Sequence, residues 1–222
     1  MGKAFEIIDA SQEELISFLR GYIQHRSINP ERQIPSVEIG ETNGCQEWLR
    51  ENLESLGCFE TVTSWGVSSG EWNIAAELPS SAPDKYHSAL FNGHSDVVPV
   101  SAAEYDAWQG GDPWSGHVYD GAVYGRGACD MKGGNSAVIW AARCLIEAGF
   151  VPRGRITLTF TIGEESGNAD LGPYSVKQQG YSGDVIIVAE PTKLIGDRAN
   201  RRPSGYGRRT GSGRPVHAAA CA

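Results

Sequence analysis

The second half of the chain alternates strand and helix signals, and that alternation confines it to a sheet with helices packed on its faces. Residues 88–93 form an apolar strand candidate around Ala89-Leu90-Phe91. Lys132 to Ala148 has helical patterning, followed by Gly149 and, shortly beyond, Pro152, both of which stop helices. From Arg155 to Ile162, Ile156, Leu158, Phe160 and Ile162 alternate with threonines, the two-residue period of a strand. Tyr174 to Gln179 has room for a short helix, and Asp184 to Ala189 carries Val185-Ile186-Ile187-Val188, a buried-strand run. The expected fold class is therefore α/β, a mixed sheet flanked by helices.

The first half supplies further elements of the same layers. Ser11-x-x-Glu14 has capping-box spacing, and Leu15, Leu19, Tyr22 and Ile23 follow on one helical face. A second helix is expected over 42–56, with Cys45, Trp48, Leu49, Leu53 and Leu56 apolar and Gly57 as its stop. Ser27 to Gly40, with Pro30 and Pro35, reads as a loop. Strand candidates fall at 59–65 and 72–78, and the Gly-, Pro- and Trp-rich stretch 99–120 reads as an ordered loop.

Charge divides the chain in two. Residues 1–190 carry a net −14 and residues 191–222 a net +6. The acidic body argues against a nucleic-acid surface. Between Gly196 and Pro215 only Ala199 and Tyr206 are hydrophobic, and six arginines crowd the stretch. We therefore expect residues 1–195 to form one folded unit and 196–222 an irregular, Arg-rich tail. No apolar run approaches the roughly 18 residues of a membrane span. Met1 to Arg20 lacks a signal-peptide pattern, and Glu6 stands where a myristoylation signal wants Ser or Thr. Five cysteines without a C-x-x-C pair make the cytoplasm the expected setting.

Four groups of acids and imidazole stand out by position. His94-Ser95-Asp96 follows the strand over 88–93, Glu164-Glu165 follows that over 155–162, and Glu190 follows that over 184–189. Asp130 lies in Gly125-Arg126-Gly127-Ala128-Cys129-Asp130-Met131-Lys132-Gly133-Gly134, a glycine-rich turn leading into a helix. Ligands of open α/β sheets bind outside the carboxyl ends of the strands, so residues far apart in sequence can converge there. One imidazole and several carboxylates suit zinc or a similar divalent ion, and a carboxylate can bridge two ions. Asp96 is placed to accept the other imidazole N–H and fix its tautomer. Of two adjacent glutamates, one can bind metal while the other takes a proton from metal-activated water. Each feature also has a plainer explanation. His94 and Asp96 can be a surface hydrogen-bond pair, the glutamates a solvated face, Asp130 a helix cap and Glu190 a loop acid.

The strings Asn92-Gly93-His94-Ser95-Asp96-Val97-Val98-Pro99, Gly125 to Gly134, Gly163-Glu164-Glu165-Ser166-Gly167 and Ala189-Glu190-Pro191-Thr192 are similar to those of the co-catalytic zinc amidohydrolases. That family includes acetylornithine deacetylase, succinyl-diaminopimelate desuccinylase, aminoacylase and carboxypeptidase G. The likeness runs in order from about residue 10 to 197. It implies that His94 and Glu190 bind one zinc, that Glu165 binds a second, and that Asp130 bridges both. Glu164 would be the general base, and Asp96 would orient His94. The resemblance also implies that cobalt can replace zinc in such sites and that the substrates are small N-acyl amino acids or peptides. No nucleic-acid or membrane partner is implied, and dimeric members allow a homodimer in the complete protein.

The departures count as well. Family members are about twice this length, with a lid domain after the Glu-Pro-Thr segment and a last histidine ligand near the C-terminus. Gly213-Arg214-Pro215-Val216-His217 resembles a lid-domain stretch, but the arginine-rich run stands where the family has apolar strands. A truncated gene or a local frame slip would give that change, and such a chain is expected to turn over weakly or not at all. The rival reading is an inactive remnant that binds metal or a partner chain. A two-carboxylate glycosidase leaves His94 and the Asp130 turn without a role.

Overall fold

The computed structural model describes residues 2–29 and 42–191. The basic stretch 196–222, His217 and most of the loop expected at 27–40 lie outside the described residues.

Three parallel strands, β3 (Ala89–His94), β6 (Ile156–Thr161) and β7 (Val185–Val188), define the half of the sheet that matters for the site. Two antiparallel strands, β1 (Thr61–Gly66) and β2 (Trp72–Glu77), extend it on the β6 side. The five-stranded order is β1-β2-β6-β3-β7, so the sheet is mixed, as expected. A separate hairpin, β4 (His117–Tyr119) and β5 (Ala122–Tyr124), begins at the end of the loop expected over 99–120 and continues past it.

The alternation in β6 sorts its two faces. Leu158 and Phe160 join Ile74 and Ala76 of β2 in the main core. Against them pack α2 (Gln12–Gln24) through Phe18 and Tyr22, α3 (Thr42–Ser55) through Leu49 and Leu53, and α4 (Gly133–Glu147) through Ile139 and Trp140. On the other face the threonines of β6 are buried too. Here Asn73 donates to the Leu171 carbonyl at 2.7 Å, and α5 (Pro173–Gln178) closes over it. Threonine satisfies a buried face because its hydroxyl finds acceptors, as Thr159 does with Asn92 Oδ1 at 2.9 Å.

One local expectation fails for a tertiary reason, and one element is added. A first helix, α1 (Gly2–Ala10), precedes Ser11, held by Ile7 and Ile8 against the core. Ser11 caps nothing: it is buried at the α1–α2 elbow, and its hydroxyl accepts from Trp140 Nε1 at 3.1 Å. Glu14 instead meets Arg143 of α4 at 2.7 Å. The box spacing works elsewhere, at Ser101-x-x-Glu104 before a short 3₁₀ turn, Ala102–Ala107. There the Glu104 carboxylate accepts from the Ser101 N–H and hydroxyl at 2.8 and 2.7 Å.

Candidate metal centre

Because β3, β6 and β7 run parallel, their carboxyl ends lie along one edge of the sheet. His94 is the last residue of β3 rather than the first after it, and it is buried. Glu164 and Glu165 follow β6 after Ile162-Gly163, and Glu190 follows β7 after Ala189. Asp130 comes from the same side by a different route. The segment Ala128–Lys132 is a distorted turn in which Asp130 (φ −118, ψ 101) and Met131 (φ −127, ψ 28) leave helical geometry. That break interrupts what would otherwise be the first turn of α4 and brings the Asp130 carboxylate to the imidazole.

His94 is the hub. Its Nε2 lies 3.0 Å from Asp130 Oδ1, 3.5 Å from Glu190 Oε1 and 3.8 Å from Glu164 Oε2. Ligand-capable atoms of His94, Asp130 and Glu165 all fall within 4.8 Å of one another. Nδ1 is engaged on the opposite side, where the main-chain oxygen of Asp96 sits at 2.8 Å. The Asp96 carboxylate stands behind that bond, with Oδ1 3.6 Å from Nδ1. Its Oδ2 accepts from Asn29 Nδ2 at 2.5 Å and from the Glu165 N–H at 3.2 Å. One buried carboxylate thus touches the surroundings of two of the clustered side chains.

The electrostatics call for a cation. Burial disfavours a charged imidazole, yet the carboxylates of Asp130, Asp96 and Glu190 outweigh it and raise the His94 pKa far above the histidine range. Burial, and then the neighbouring acids, push Glu165 up to about 6 and raise Glu164, His94 opposing both. Asp130 moves down, chiefly through its hydrogen bond to His94. Left to protons alone, the cluster stores one on His94 and resists ionising all its acids together. A divalent ion relieves the same repulsion with more charge, and N and O donors at these spacings fit one. Asp96 Oδ1, fully buried and without a hydrogen-bond partner among the described residues, adds negative potential behind the ring.

The sequence singled out six residues, His94, Asp96, Asp130, Glu164, Glu165 and Glu190, and the structure brings all six together. It adds several to which the sequence reading gave no role, Met131 and Lys132 among them although they lie in the string Gly125 to Gly134. Asn29 holds Asp96, and Asn135 and Met131 bond the main chain of His94. Lys132 is buried, donating to the Tyr22 and His25 carbonyls at 2.8 and 2.9 Å, which fastens the end of α2 to the Asp130 turn. Their residue types are ordinary, and only the contacts distinguish them.

Gly134, in the first turn of α4, makes a close approach that the site requires. A Cβ there would lie 2.2 Å from the Ala189 carbonyl oxygen, one residue before Glu190. Alanine raises helix propensity by roughly 0.8–1 kcal/mol, but overpacking against a main-chain atom costs about 1–3 kcal/mol. Gly134→Ala is therefore expected to lower the thermal midpoint, not raise it, and to weaken metal uptake by displacing Glu190. A stabilised variant with full metal affinity would contradict this approach.

A mixed sheet with an imidazole and carboxylates gathered at the carboxyl edge of its parallel strands defines an α/β protein with a candidate cation centre. The family model of peptidase family M20/M25/M40 matches residues 90–203, half of the chain and every residue of that centre. The chain belongs to this family. The N-formyl-4-amino-5-aminomethyl-2-methylpyrimidine deformylase of Bacillus subtilis is 32% identical over 187 residues, 84% of this chain and 41% of that protein. A succinyl-diaminopimelate desuccinylase of Rhodospirillum centenum is 40% identical over 180 residues, covering 77% of this chain and 44% of its own length. Among solved structures, human carnosine dipeptidase 1 shares the fold with a TM-score of 0.67 at 24% identity, over 84% of this chain and 40% of that one. The chain spans about two fifths of the length of the curated relatives it matches.

Proposed function

We propose that these residues form the metal-binding half-site of a hydrolase that cleaves an amide bond in small N-acyl amino acids or peptides. The observation that carries the reading is the convergence on His94 Nε2 of Asp130, Glu190 and Glu164 within 3.8 Å, with Glu165 in the same cluster. His94, Asp130, Glu165 and Glu190 would hold the metal. A bound zinc ion, or cobalt in its place, supplies Lewis acidity and makes water acidic enough to lose a proton near neutral pH. Glu164, beside the ligands and half exposed to solvent, takes that proton at its carboxylate and delivers it to the departing amide nitrogen. Asp96 keeps the His94 ring fixed by holding its Nδ1 side.

The names of the relatives, a deformylase and a desuccinylase, support removal of an acyl group from nitrogen. They also favour this reading over a remnant that binds without turnover. In it, residues 1–195 belong to the catalytic unit. No helix among the described residues is long and apolar enough to cross a membrane. The four described cysteines form no disulfide with one another, in keeping with the cytoplasmic setting proposed here.

The test is metal uptake, followed by turnover. Dialysed against zinc or cobalt, the protein should retain metal after removal of the free ion and lose it to a chelator. Hydrolysis is then sought with N-formyl, N-acetyl and N-succinyl amino acids. A chain that takes up neither metal at micromolar concentrations would end the reading.

A further inference from the structure

The main chain of His94 presents a problem that the sheet does not solve. The β3–β7 ladder pairs Ala89–Asn92 with Val185–Val188 and stops there, whereas the β3–β6 ladder continues to His94 opposite Thr161. The next N–H, that of Ser95, points to β6 and donates to Thr161 at 2.7 Å. Main-chain groups alternate sides along a strand, so those of His94 point the other way, where β7 has already ended. Buried main-chain groups need partners. Both are supplied by side chains of the Asp130 turn and of the start of α4 that follows it. The His94 N–H donates to Met131 Sδ at 3.3 Å, and the His94 carbonyl accepts from Asn135 Nδ2 at 2.8 Å. Gly93 makes the room: a Cβ there would lie 1.9 Å from Asn135 Oδ1 and 3.0 Å from Met131 Cε.

We propose that Met131 and Asn135 are positioning residues that replace the missing strand and thereby set the separation between His94 and Asp130. Met131 adjoins Asp130 and Asn135 lies in the first turn of α4, so each bond to His94 also fixes the turn that carries Asp130. Strand end and helix start become one rigid unit. The consequence for metal rests on the function proposed above; the geometric consequence does not.

The experiment compares Asn135→Ala and Met131→Leu with a control, Ile139→Val, which trims the core face of α4. Cobalt(II) affinity and its visible absorption spectrum are measured, together with amide exchange of residues 89–94 and 128–134 in the metal-free protein. Asn135→Ala should bind cobalt(II) ~10–100-fold more weakly, the range for partners that orient a metal ligand, with an altered spectrum. Its His94 amide and the Asp130 turn should exchange faster, while 89–92 stay protected. Met131→Leu conserves volume and should shift both readouts the same way by less, which keeps the test decisive if Asn135→Ala fails to fold. Ile139→Val should lose thermal stability without changing affinity or spectrum. Wild-type cobalt affinity and spectrum in both variants, or affinity losses no greater than the control's, would overturn the proposal. If the unaltered protein binds no cobalt, the functional reading falls and the exchange data alone decide: unchanged protection at His94 and 128–134 refutes positioning, and faster exchange there sustains it.

Discussion

Glu164→Gln should remove most turnover while leaving metal content unchanged, wherever these residues hydrolyse an N-acyl amino acid. The amide keeps the shape of the side chain but cannot take a proton, and loss of a general base costs roughly 10²–10⁴ in rate. The loss should fall on kcat and on kcat/KM alike, because the proton is moved only in the transition state. Glu164 is placed for this rather than for binding. Its carboxylate is half exposed and stands 3.8 Å from His94 Nε2, outside the tighter grouping of His94, Asp130 and Glu165. Burial nevertheless raises its pKa, the direction a base needs in order to hold a proton between steps. Metal content and turnover are measured on the same preparation. Loss of metal would make Glu164 a ligand instead, and near-normal kcat would remove it from the reaction.

Asp130→Asn should have the largest effect on metal itself. Asp130 makes the shortest side-chain contact with His94 Nε2, at 3.0 Å, and belongs to the group whose donor atoms lie within 4.8 Å. Asparagine keeps the shape and withdraws one negative charge and one anionic donor. Substitutions of residues that merely orient a ligand weaken metal binding about 10–100-fold, so removal of the central ligand should exceed ~100-fold. The fold should survive, since Asp130 is half exposed and packs in no hydrophobic cluster. Titration of zinc and of cobalt into both proteins measures the difference. A loss below about 10-fold would show that the ion sits elsewhere in the cluster.

Much of this protein was legible in its sequence because the relevant signals are local. The Ile/Leu/Phe–Thr alternation of β6 and the helical face of α4 follow from periods of two and 3.6 residues, and β7 from a short apolar run, although that run is largely exposed at the sheet edge and not buried as expected. The residues of the centre stood out for the same reason: His94, Glu164, Glu165 and Glu190 lie at or just beyond strand ends, and Asp130 lies in a glycine-rich turn. Other features depended on partners distant in sequence. Helix α1 rests on packing against the core, and Ser11 has the spacing of a cap but is claimed by Trp140, 129 residues away. The main-chain oxygen of Asp96 takes the bond from the imidazole at 2.8 Å, while the carboxylate stands back, Oδ1 at 3.6 Å from Nδ1 and Oδ2 accepting from Asn29 and the Glu165 N–H. Asn135 and Met131 acquire their role only because β7 ends two residues short of His94. Sequence determined most of the strands and helices that build the site and which side chains carry charge. Tertiary structure decided which buried donor meets which acceptor, since that depends on where neighbouring strands stop, and no local period records it.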